Sequence, residues 1–350
     1  MSGESAVQNM NVAFGRALVD LGRRHPDVVV LDADLNTSTK SAFFLEEFPD
    51  RFVQMGIAEQ NMMGVAAGMS LAEGYVPFAV TFATFASKRP CDQVSISIAY
   101  QQADVKIVGT YAGISLAKGG TTHQSVEDMA IMRATPGMYV ADPGWPAEIA
   151  EVLEAAVSRR GPVYIRIAAG SFPDLNEDLG DGFLPPHGPF HWGRARWLES
   201  QGGGRSGWRA VIVTTGIMVH RVLAAVRALE EEGIPVGVVH CPSVEPMDVE
   251  AMEEVARLGR PVVTVENHGV RGGLGDAVSQ VVSRVVSRVA GRPAGGSAGP
   301  PPLARMGVDN SFGRTARDDE ELFRLHRLTE ADIAAEVRKQ ISLAERRTGG

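Results

Sequence analysis

The stretch Met55-Gly-Ile-Ala-Glu-Gln-Asn-Met-Met-Gly-Val-Ala-Ala-Gly-Met69 contains a single charged residue, Glu59. No further charge follows before Glu73, and small residues recur at Gly64 and Gly68. This pattern predicts a closely packed helix whose first turn carries a carboxylate into apolar surroundings. A buried carboxylate costs free energy unless another group pairs with it. Glu59 is therefore a candidate functional residue; the alternative is that it only complements the positive end of the helix dipole.

Apolar runs and amphipathic segments alternate around this stretch. The sequence predicts strands at 28–34, 76–82, 104–110, 138–142 and 163–168, and helices at 7–24, from 59 onward, and at 85–101, 126–133 and 146–159. Strands that alternate with helices indicate an α/β fold, here a doubly wound parallel sheet with helices on both faces. Sites in such sheets form at the carboxyl ends of the strands. Asp34, Phe82 and the loop 111–123 are predicted to lie there.

A linker separates this unit from a second one. The alternation stops between Phe172 and Trp208, where Gly and Pro are frequent and one strand is predicted at 190–198. The second α/β unit has predicted strands at 210–216, 235–240 and 261–266, and helices at 219–232, 248–258, 274–289 and 329–345. The Gly- and Pro-rich segment 291–302 is predicted to be an exposed, mobile insertion. We therefore predict domains at 1–175 and 210–350, the second smaller, joined by a linker at 176–209.

The overall composition excludes several classes of protein. The 350 residues are 44% hydrophobic, which is enough for two cores, and the net charge of −8 comes without any basic block that would bind nucleic acid. Two cysteines, Cys91 and Cys241, favour a reducing compartment over a disulfide framework. The first residues lack the features of a signal peptide, and no apolar run reaches the roughly 18 residues of a membrane span. We therefore expect a soluble, cytoplasmic protein without nucleic-acid or membrane partners.

Three short motifs carry a resemblance to a known family. Gly56-Ile-Ala-Glu-Gln-Asn61, Thr81-Phe-Ala-Thr-Phe85 and Gly119-Gly-Thr-Thr-His-Gln124 resemble, in order and spacing, the pyrimidine-binding domain of transketolases. In the second half, Ala210–Gly216, Pro246-Met-Asp248 and Glu266–Gly275 resemble the transketolase C-terminal domain. Each motif alone is weak, but together they span about 7–343 in register. The sequence is therefore identified as similar to the C-terminal half of a transketolase.

This resemblance implies a cofactor and a partner. Transketolases bind thiamine diphosphate between a pyrimidine-binding side and a side that holds the diphosphate and a metal ion, Mg²⁺ or Ca²⁺, through a Gly-Asp-Gly motif and a later Asn. The one Gly-Asp-Gly of this chain, at 180–182, follows no apolar strand, and no Asn occurs between Asn176 and Asn267. We therefore expect no metal ligands in this chain. The resemblance implies a split enzyme that needs an N-terminal, diphosphate-binding subunit, in an α2β2 heterotetramer.

The resemblance also assigns residues to the cofactor. Glu59 would hydrogen-bond the pyrimidine ring and so activate the cofactor, a role that suits a carboxylate in a water-poor pocket. Phe82 and Phe85 would form a wall for that ring, although a lone Phe82 is more often a core residue. Lys88 stands where the family often has a further aromatic residue. Asp34 and Leu35 match positions near the cofactor; their alternative is an ordinary acid and its neighbour at a strand end.

Other matched positions concern the substrate. His123 resembles the histidine that faces the reacting carbonyl group and can stabilise a developing alkoxide; the alternative is a capping or core histidine. The two arginines and the histidine that help to hold a sugar phosphate in transketolases fall at Asn11, Ala169 and Tyr111 of this chain. The aspartate that reads a sugar hydroxyl falls at Gly119, and only the serine of the phosphate site is kept, as Ser38. Loss of two guanidinium groups removes bidentate contacts to phosphate. Lys118 could substitute for them, whereas Arg166, in the middle of a predicted strand, is interpreted as structural.

Three functions remain open on the sequence. The first is a subunit of a transferase that moves a two-carbon ketol unit between small carbonyl substrates, specialised by the altered phosphate site and suited to secondary metabolism. The second is a decarboxylating thiamine enzyme, similar to deoxyxylulose phosphate synthase or to a 2-oxoacid dehydrogenase subunit. The third is a non-catalytic subunit that stabilises its partner. The sequence also leaves open whether the face of Gly64 and Gly68 is buried or contacts a partner, and it favours a loop-stabilising role for Glu266, Asn267 and His268.

Overall fold

The computed structural model describes residues 7–176, 188–198, 204–290 and 302–348. The Gly-Asp-Gly motif at 180–182 and the predicted insertion at 291–302, apart from Pro302, lie outside these ranges. Within them the chain forms two α/β units. This confirms the predicted fold class, a doubly wound parallel sheet followed by a smaller α/β domain.

Among its described residues, the first unit contains sixteen α-helices and β-strands. They are β1 Gln8–Asn9, α1 Met10–Arg24, β2 Val28–Asp32, α2 Asn36–Thr39, α3 Ala42–Glu47, β3 Phe52–Gln54, α4 Glu59–Glu73, β4 Val76–Phe82, α5 Ala83–Ser87, α6 Cys91–Gln93, β5 Lys106–Thr110, α7 Asp128–Ala134, β6 Tyr139–Ala141, α8 Pro146–Val157, β7 Val163–Ile167 and β8 Ser171–Phe172. A π-helical segment, Val94–Ala99, follows α6, and short 3₁₀ turns cover Pro49–Arg51 and Thr121–His123.

The main sheet of this unit places the strand ends that matter for the site side by side. Its order is β12-β6-β7-β5-β4-β2-β3, and all pairings are parallel except that of β12, a strand contributed by the second unit. The chain runs from β2 outward to β3 and then returns past β2 to β4. The direction of winding therefore changes beside β2, and the crevice at such a change is where ligands bind in open α/β sheets.

The second unit is a five-stranded sheet with flanking helices. Its elements are β9 Arg196–Leu198, β10 Ala210–Thr214, α9 Met218–Glu231, β11 Val236–His240, β12 Ser243–Glu245, α10 Val249–Arg257, β13 Val262–Gly269, α11 Leu274–Ala290, β14 Leu303–Val308, α12 Asp319–Leu325 and α13 Glu330–Thr348. The sheet order is β14-β13-β10-β11-β9, parallel except for β9. The central strands are fully buried runs of branched apolar residues, as expected for strands covered on both faces.

Two strands tie the units together. β12, which follows β11 in the chain, leaves the second unit and pairs antiparallel with β6 at the edge of the first sheet. β9, which comes from the predicted linker, pairs antiparallel with β11 and closes one edge of the second sheet. β12 and β9 thereby become terminal strands of the two sheets, and each is only three residues long, which leaves few backbone groups free to pair with other chains. The two domain boundaries, at 175/176 and 209/210, remain a prediction. β9, which lies in the predicted linker, belongs structurally to the second sheet.

One predicted helix is interrupted. The segment 85–101 was expected to be continuous, but α5 ends at Ser87 and α6 starts at Cys91, after Pro90. Proline lacks the backbone N–H that a helix interior needs and clashes with the preceding turn. The chain then continues as the π-helical segment. This break sends the residues between α5 and α6 back toward the beginning of α4.

Several elements are not predicted from the sequence, for different reasons. α2, α3 and β3 are too short to produce a periodic pattern, and β3 is a three-residue edge strand. β12 likewise has three residues, and β14 follows the Pro-rich segment directly. α12 did carry a readable signal, because the Asp318 side chain caps it by accepting a hydrogen bond from the Glu321 N–H at 2.8 Å. In the described residues, no helix is both long enough and apolar enough to cross a membrane.

One histidine of the second unit, His220, packs against the first unit. His220 of α9 pairs through Nε2 with the Gly144 carbonyl oxygen at 2.9 Å and stacks on the Phe172 ring, with centroids 4.6 Å apart. Burial lowers the pKa of His220 to about 4. A free histidine titrates near 6.5, so the folded state binds this proton less readily than the unfolded state. The stability gained from a neutral His220 is therefore present above about pH 6.5 and is lost as the pH falls toward 4.

We predict that this effect is visible as a pH-dependent difference between the wild type and His220→Gln. From pH 7 to pH 5, the wild type should lose about 2 kcal/mol of unfolding free energy relative to the variant, by linkage between the two pKa values. Urea unfolding followed by circular dichroism at both pH values measures this difference. His191→Gln, at an exposed histidine, is the control. A His220→Gln difference that does not change with pH would contradict the assignment.

Candidate functional site

Glu59 is the first residue of α4 and is nearly enclosed by protein. Its side chain is 5% exposed, and the preceding Ala58 provides no side-chain cap, so the carboxylate lies near the positive end of the helix. Arg89 Nη1 donates to Glu59 Oε1 at 2.6 Å. The buried carboxylate is thus paired, as the cost of an isolated charge requires.

Aromatic rings form a platform beside this pair. Phe82 ends β4 and Phe85 lies on α5; their rings are nearly parallel, with centroids 5.8 Å apart. The Arg89 guanidinium carbon lies 4.0 Å from the centroid of the Phe85 ring. Tyr111 packs against Phe82 at 4.6 Å on another side. We call the Phe82 and Phe85 rings the aromatic platform.

His123 stands edge-on to both rings of the aromatic platform. Its ring centroid is 5.2 Å from that of Phe85 and 6.0 Å from that of Phe82. Thr122 Oγ1 lies 3.0 Å from His123 Nδ1, within hydrogen-bond distance. The next residue, Gln124, is buried and donates from Nε2 to the Arg314 carbonyl oxygen at 3.0 Å, so the second unit anchors this loop. The structure therefore brings the predicted Glu59, Phe82, Phe85 and His123 together.

Lys88 is directed to a different partner. Its amine forms an ion pair with Glu127 at 2.6 Å, just before α7. Glu127 also lines a cleft of about 240 Å³ between the two units, together with Arg271 and Phe312. Lys88 thus occupies the position at which the family often has a third aromatic residue. Its salt bridge links the end of α5 to the boundary with the second unit.

Asp34 and Leu35 lie in the turn after β2. Asp34 is exposed and has a φ of 64°, and its N–H donates to Gln54 Oε1 at 2.9 Å. The Gly56 N–H donates to the same oxygen at 3.0 Å, which ties this turn to the loop before Glu59. The Leu35 N–H donates to Asp32 Oδ1 at 2.6 Å. Burial raises the pKa of Asp32, while its hydrogen-bond donors oppose that shift.

The positions matched to a phosphate site also come together. The Tyr111 hydroxyl donates to the Ser38 carbonyl oxygen at 3.4 Å and is hydrogen-bonded to the Asn11 side chain, and burial raises its pKa. The Met10 N–H donates to the Gly170 carbonyl oxygen, which ties the start of α1 to the segment that carries Ala169. These four positions are neutral, so a dianionic group would find no charged partner among them.

At Gly119, the missing aspartate would require Leu116 to shift. A Cβ atom built there would lie 2.6 Å from Leu116 Cδ2, the end of a partly buried side chain, and 3.0 Å from the Cβ of His123. Of the two cations that could have replaced the lost arginines, Lys118 is exposed. Arg166 is completely buried and is excluded from that role.

Arg166 instead organises the boundary between the units. Its Nε donates to Asp128 Oδ2 at 2.8 Å, and Nη2 donates to the Asn267 carbonyl oxygen at 2.6 Å. Nη1 lies 3.4 Å from Asp142 Oδ2, and burial raises the pKa of Asp142 to about 6 although Arg166 opposes the shift. The Asn267 side chain accepts the Ile114 N–H at 2.8 Å. The structural roles predicted for Arg166 and Asn267 therefore agree with these contacts.

Glu266 and His268 complete the same boundary. Both oxygens of Glu266 accept backbone N–H groups at the start of α11, from Leu274 at 2.7 Å and Gly275 at 2.9 Å. Burial raises the pKa of Glu266 to about 7, and burial also lowers the pKa of His268 to about 4. These contacts stabilise the loop between β13 and α11, as predicted.

The outer face of α4 is exposed. Nothing lies within 4 Å of a Cβ built on Gly64 or Gly68. Leu71 is 50% exposed, and Ile57, in the loop before Glu59, is 74% exposed. Tyr100, after the π-helical segment that packs on α4, is 84% exposed. The structure thus answers the question that the sequence left open: in the single chain, this face is not buried.

Arg89 is the residue that the sequence analysis missed. The expectation that a buried Glu59 needs a partner was a usable signal, but 30 residues separate the two. The exposed fraction of the Arg89 side chain is 48%, whereas that of Glu59 is 5%. Across the ranges that the structure describes, no group of three or more His, Cys, Asp or Glu side chains could hold a metal ion.

Comparisons with known proteins agree with this arrangement. The model of the transketolase pyrimidine-binding domain matches residues 7–173, and that of the transketolase C-terminal domain matches 204–318. The chain is 34% identical to a putative transketolase C-terminal section from Methanocaldococcus jannaschii, over 95% of this chain and 96% of that protein. It is 36% identical to a 6-deoxy-6-sulfo-D-fructose transketolase subunit from Clostridium sp., over 86% and 85% of the two chains.

A solved structure is also similar over nearly the whole chain. It is described as a split-gene transketolase in an inactive β4 tetramer. The two chains are 39% identical, with a TM-score of 0.80, and the match covers 96% of this chain and 99% of that one. That chain, like this one, carries both units in a single polypeptide.

Proposed function

Because the chain belongs to the transketolase family and corresponds to the half with the pyrimidine-binding and C-terminal domains, we propose that it is the pyrimidine-side subunit of a split ketol transferase. The family implies dependence on thiamine diphosphate. In this proposal the chain transfers a two-carbon ketol unit between small carbonyl compounds and is active only with a diphosphate-binding subunit.

The observation that carries the proposal is the position of Glu59. A carboxylate with 5% exposure pairs with Arg89, whose guanidinium lies over the Phe85 ring, and His123 stands edge-on to Phe82 and Phe85. An ordinary structural glutamate at a helix start does not require two stacked phenylalanines and a histidine at its open side. A planar ring bound there would stack on the face of a phenylalanine ring, contact the Glu59 carboxylate as a hydrogen-bond acceptor, and lie near His123 as a second polar group.

The residues fit the aminopyrimidine ring of the cofactor. The flat guanidinium of Arg89, which donates N–H groups and lies 4.0 Å from the Phe85 centroid, shows that a planar donor has space between Phe85 and Glu59. Phe82 and Phe85 would orient the ring, and Glu59 would hold a proton at its edge. When bound, the cofactor supplies the electron sink for breaking and forming carbon–carbon bonds. His123 would hydrogen-bond the substrate oxygen that becomes negative.

The proposal requires a partner for the other part of the cofactor. We propose that an N-terminal, diphosphate-binding transketolase subunit supplies the diphosphate site and the Mg²⁺ or Ca²⁺ ion, in an α2β2 assembly. The exposed face of α4, with Ile57, Gly64, Gly68 and Leu71, supports this reading because it adjoins Glu59 and is apolar. Small residues on a helix allow a second backbone to approach closely.

We propose a specialised substrate. The neutral cluster of Asn11, Ser38, Tyr111 and Ala169 lacks the guanidinium groups that would bind a phosphate dianion. Each lost charge-assisted contact corresponds to roughly 1.5–3 kcal/mol. The phosphate of a ketose phosphate should therefore add little to its binding, and the enzyme would use carbonyl substrates that are held differently.

The first prediction concerns Glu59. After reconstitution with a diphosphate-binding subunit, identified by co-purification, Glu59→Gln should lower ketol transfer by about a hundredfold or more, because proton sharing with the cofactor is lost. Stopped assays with a ketose donor and an aldose acceptor measure this loss. The control is Glu46→Gln, an exposed carboxylate on α3, which should keep full activity.

Different results of this assay identify the competing functions. Release of carbon dioxide from pyruvate, with no reaction of any ketose donor, would identify a decarboxylating thiamine enzyme. Unchanged activity of Glu59→Gln would identify a non-catalytic subunit that stabilises its partner. Either outcome would refute the proposed ketol transferase.

The second prediction concerns the face of α4. Gly68→Glu should prevent assembly with the diphosphate-binding subunit because it places a charge and five heavy atoms on the proposed contact. The variant itself should fold normally, since its Cβ has nothing within 4 Å and Gly is the poorer helix former by about 1 kcal/mol. Analytical ultracentrifugation of the mixture and the melting temperature of the single chain measure the two effects. Lys339→Glu on α13 is the surface control, and normal assembly of Gly68→Glu would contradict the proposed interface.

The third prediction concerns substrate charge. The wild type should show similar kcat/KM for xylulose and xylulose 5-phosphate, whereas Ala169→Arg should raise the ratio in favour of the phosphate about tenfold or more, from one restored guanidinium contact. Ala169→Met controls for added bulk without charge. A wild type that already strongly prefers the phosphorylated donor would show that phosphate is bound by other residues.

A further inference from the structure

Arg89 occupies the position that the proposed function assigns to a ligand. Its Nη1 donates to Glu59 Oε1 at 2.6 Å, and its guanidinium carbon lies 4.0 Å from the Phe85 centroid. The backbone is held as well, because Gln60 Nε2 donates to the Arg89 carbonyl oxygen at 3.1 Å. Two neighbouring residues at the start of α4 thus fix both parts of one arginine.

The guanidinium group and an aminopyrimidine ring share the properties that favour binding between Glu59 and the Phe85 ring. Both are flat and delocalised, both stack on an aromatic face, and both present N–H donors at an edge. A carboxylate next to a phenylalanine ring binds either group by the same two contacts. Since both groups need the Phe85 face and the Glu59 oxygen, they cannot be bound at once.

The exposure of the pair shows which member moves. Glu59 is 5% exposed and fixed in a helix, whereas the Arg89 side chain is 48% exposed. It lies in the short break between α5 and α6, next to Pro90. The Arg89 side chain can therefore rotate into solvent without disturbing the core, while Glu59 stays in place.

We propose that Arg89 is a reversible placeholder for the planar ring, an inference that rests on the proposed function. In the free chain, Arg89 neutralises the buried Glu59 and covers Phe85, so the site neither holds an isolated charge nor presents a bare aromatic face. Binding of the aminopyrimidine displaces it. The displacement weakens ligand binding by the strength of one half-exposed ion pair and one cation–π contact, of the order of tenfold.

The experiment measures binding of the ring alone by the full-length chain. The probe is 4-amino-5-hydroxymethyl-2-methylpyrimidine, titrated by ligand-observed NMR, because it needs no diphosphate site. Arg89→Met should bind the probe about tenfold more tightly than the wild type. Arg89→Lys, which keeps the charge but loses the flat stacking surface, should lie between the two. Arg346→Met on α13 controls for a general loss of positive charge, and Glu59→Ala should abolish binding in each background.

A second measurement follows Arg89 directly and needs no partner. In ¹⁵N-labelled wild type, the Arg89 Nη1–H resonance, assigned by its absence from Arg89→Lys, should be protected from exchange. Addition of the probe, or the substitution Glu59→Ala, should remove that protection. These results would support the placeholder even if Arg89→Met folded poorly, because the wild type and Glu59→Ala supply them.

The outcomes separate this inference from the proposed function. Probe binding that depends on Glu59 but is weaker or unchanged in Arg89→Met would overturn the placeholder and leave the pyrimidine site intact. Weaker binding of the probe by Arg89→Met would mean that Arg89 contacts the ligand. Probe binding by no variant, or binding that Glu59→Ala does not affect, would overturn the pyrimidine site itself and the placeholder with it.

Discussion

The arrangement depends on one constraint: the Glu59 carboxylate is buried at the start of a helix that offers it no other charge. Burial makes an isolated carboxylate expensive, and the structure meets that cost with a half-exposed arginine rather than with a fixed core group. A rigid partner would hold the acid permanently and leave no place for a ligand. The pair of a fixed acid and a movable cation keeps the site both stable and available.

The rest of the fold holds the surroundings of that acid in position. β4 brings Phe82 to the end of the sheet, and the second unit fixes the loop that carries His123 through Gln124 and through the Asn267 contact with the Ile114 N–H. The completely buried Arg166 joins two aspartates of the first unit to a carbonyl of the second. The two units therefore act as one support, although only the first contributes the aromatic platform and the acid.

The same rigid frame supports a changed substrate region. Tyr111 packs on Phe82 and is hydrogen-bonded to the Asn11 side chain and the Ser38 carbonyl oxygen, so neutral groups fill the positions that matched a phosphate site. At Gly119, a larger residue would require Leu116 to shift. These contacts follow locally from differences between this chain and the transketolase pattern, and those differences are visible in the sequence. The contacts among Asn11, Ser38 and Tyr111, however, became visible only when α1, α2 and the end of β5 were brought together.

The sequence by itself determined the α/β class, and three motifs that resemble transketolases singled out Glu59, Phe82, Phe85 and His123 as candidates. Alternating apolar runs specify parallel strands, and residues after such strands meet at one edge of the sheet. Only the tertiary structure decided that Arg89 pairs with Glu59 and that the α4 face is exposed. It also decided that β9, from the predicted linker, joins the second sheet and that β12, which was not predicted, joins the first. The reason is physical: periodicity reports which residues prefer burial, whereas pairing across 30 or 100 residues depends on which surfaces meet once the chain has packed.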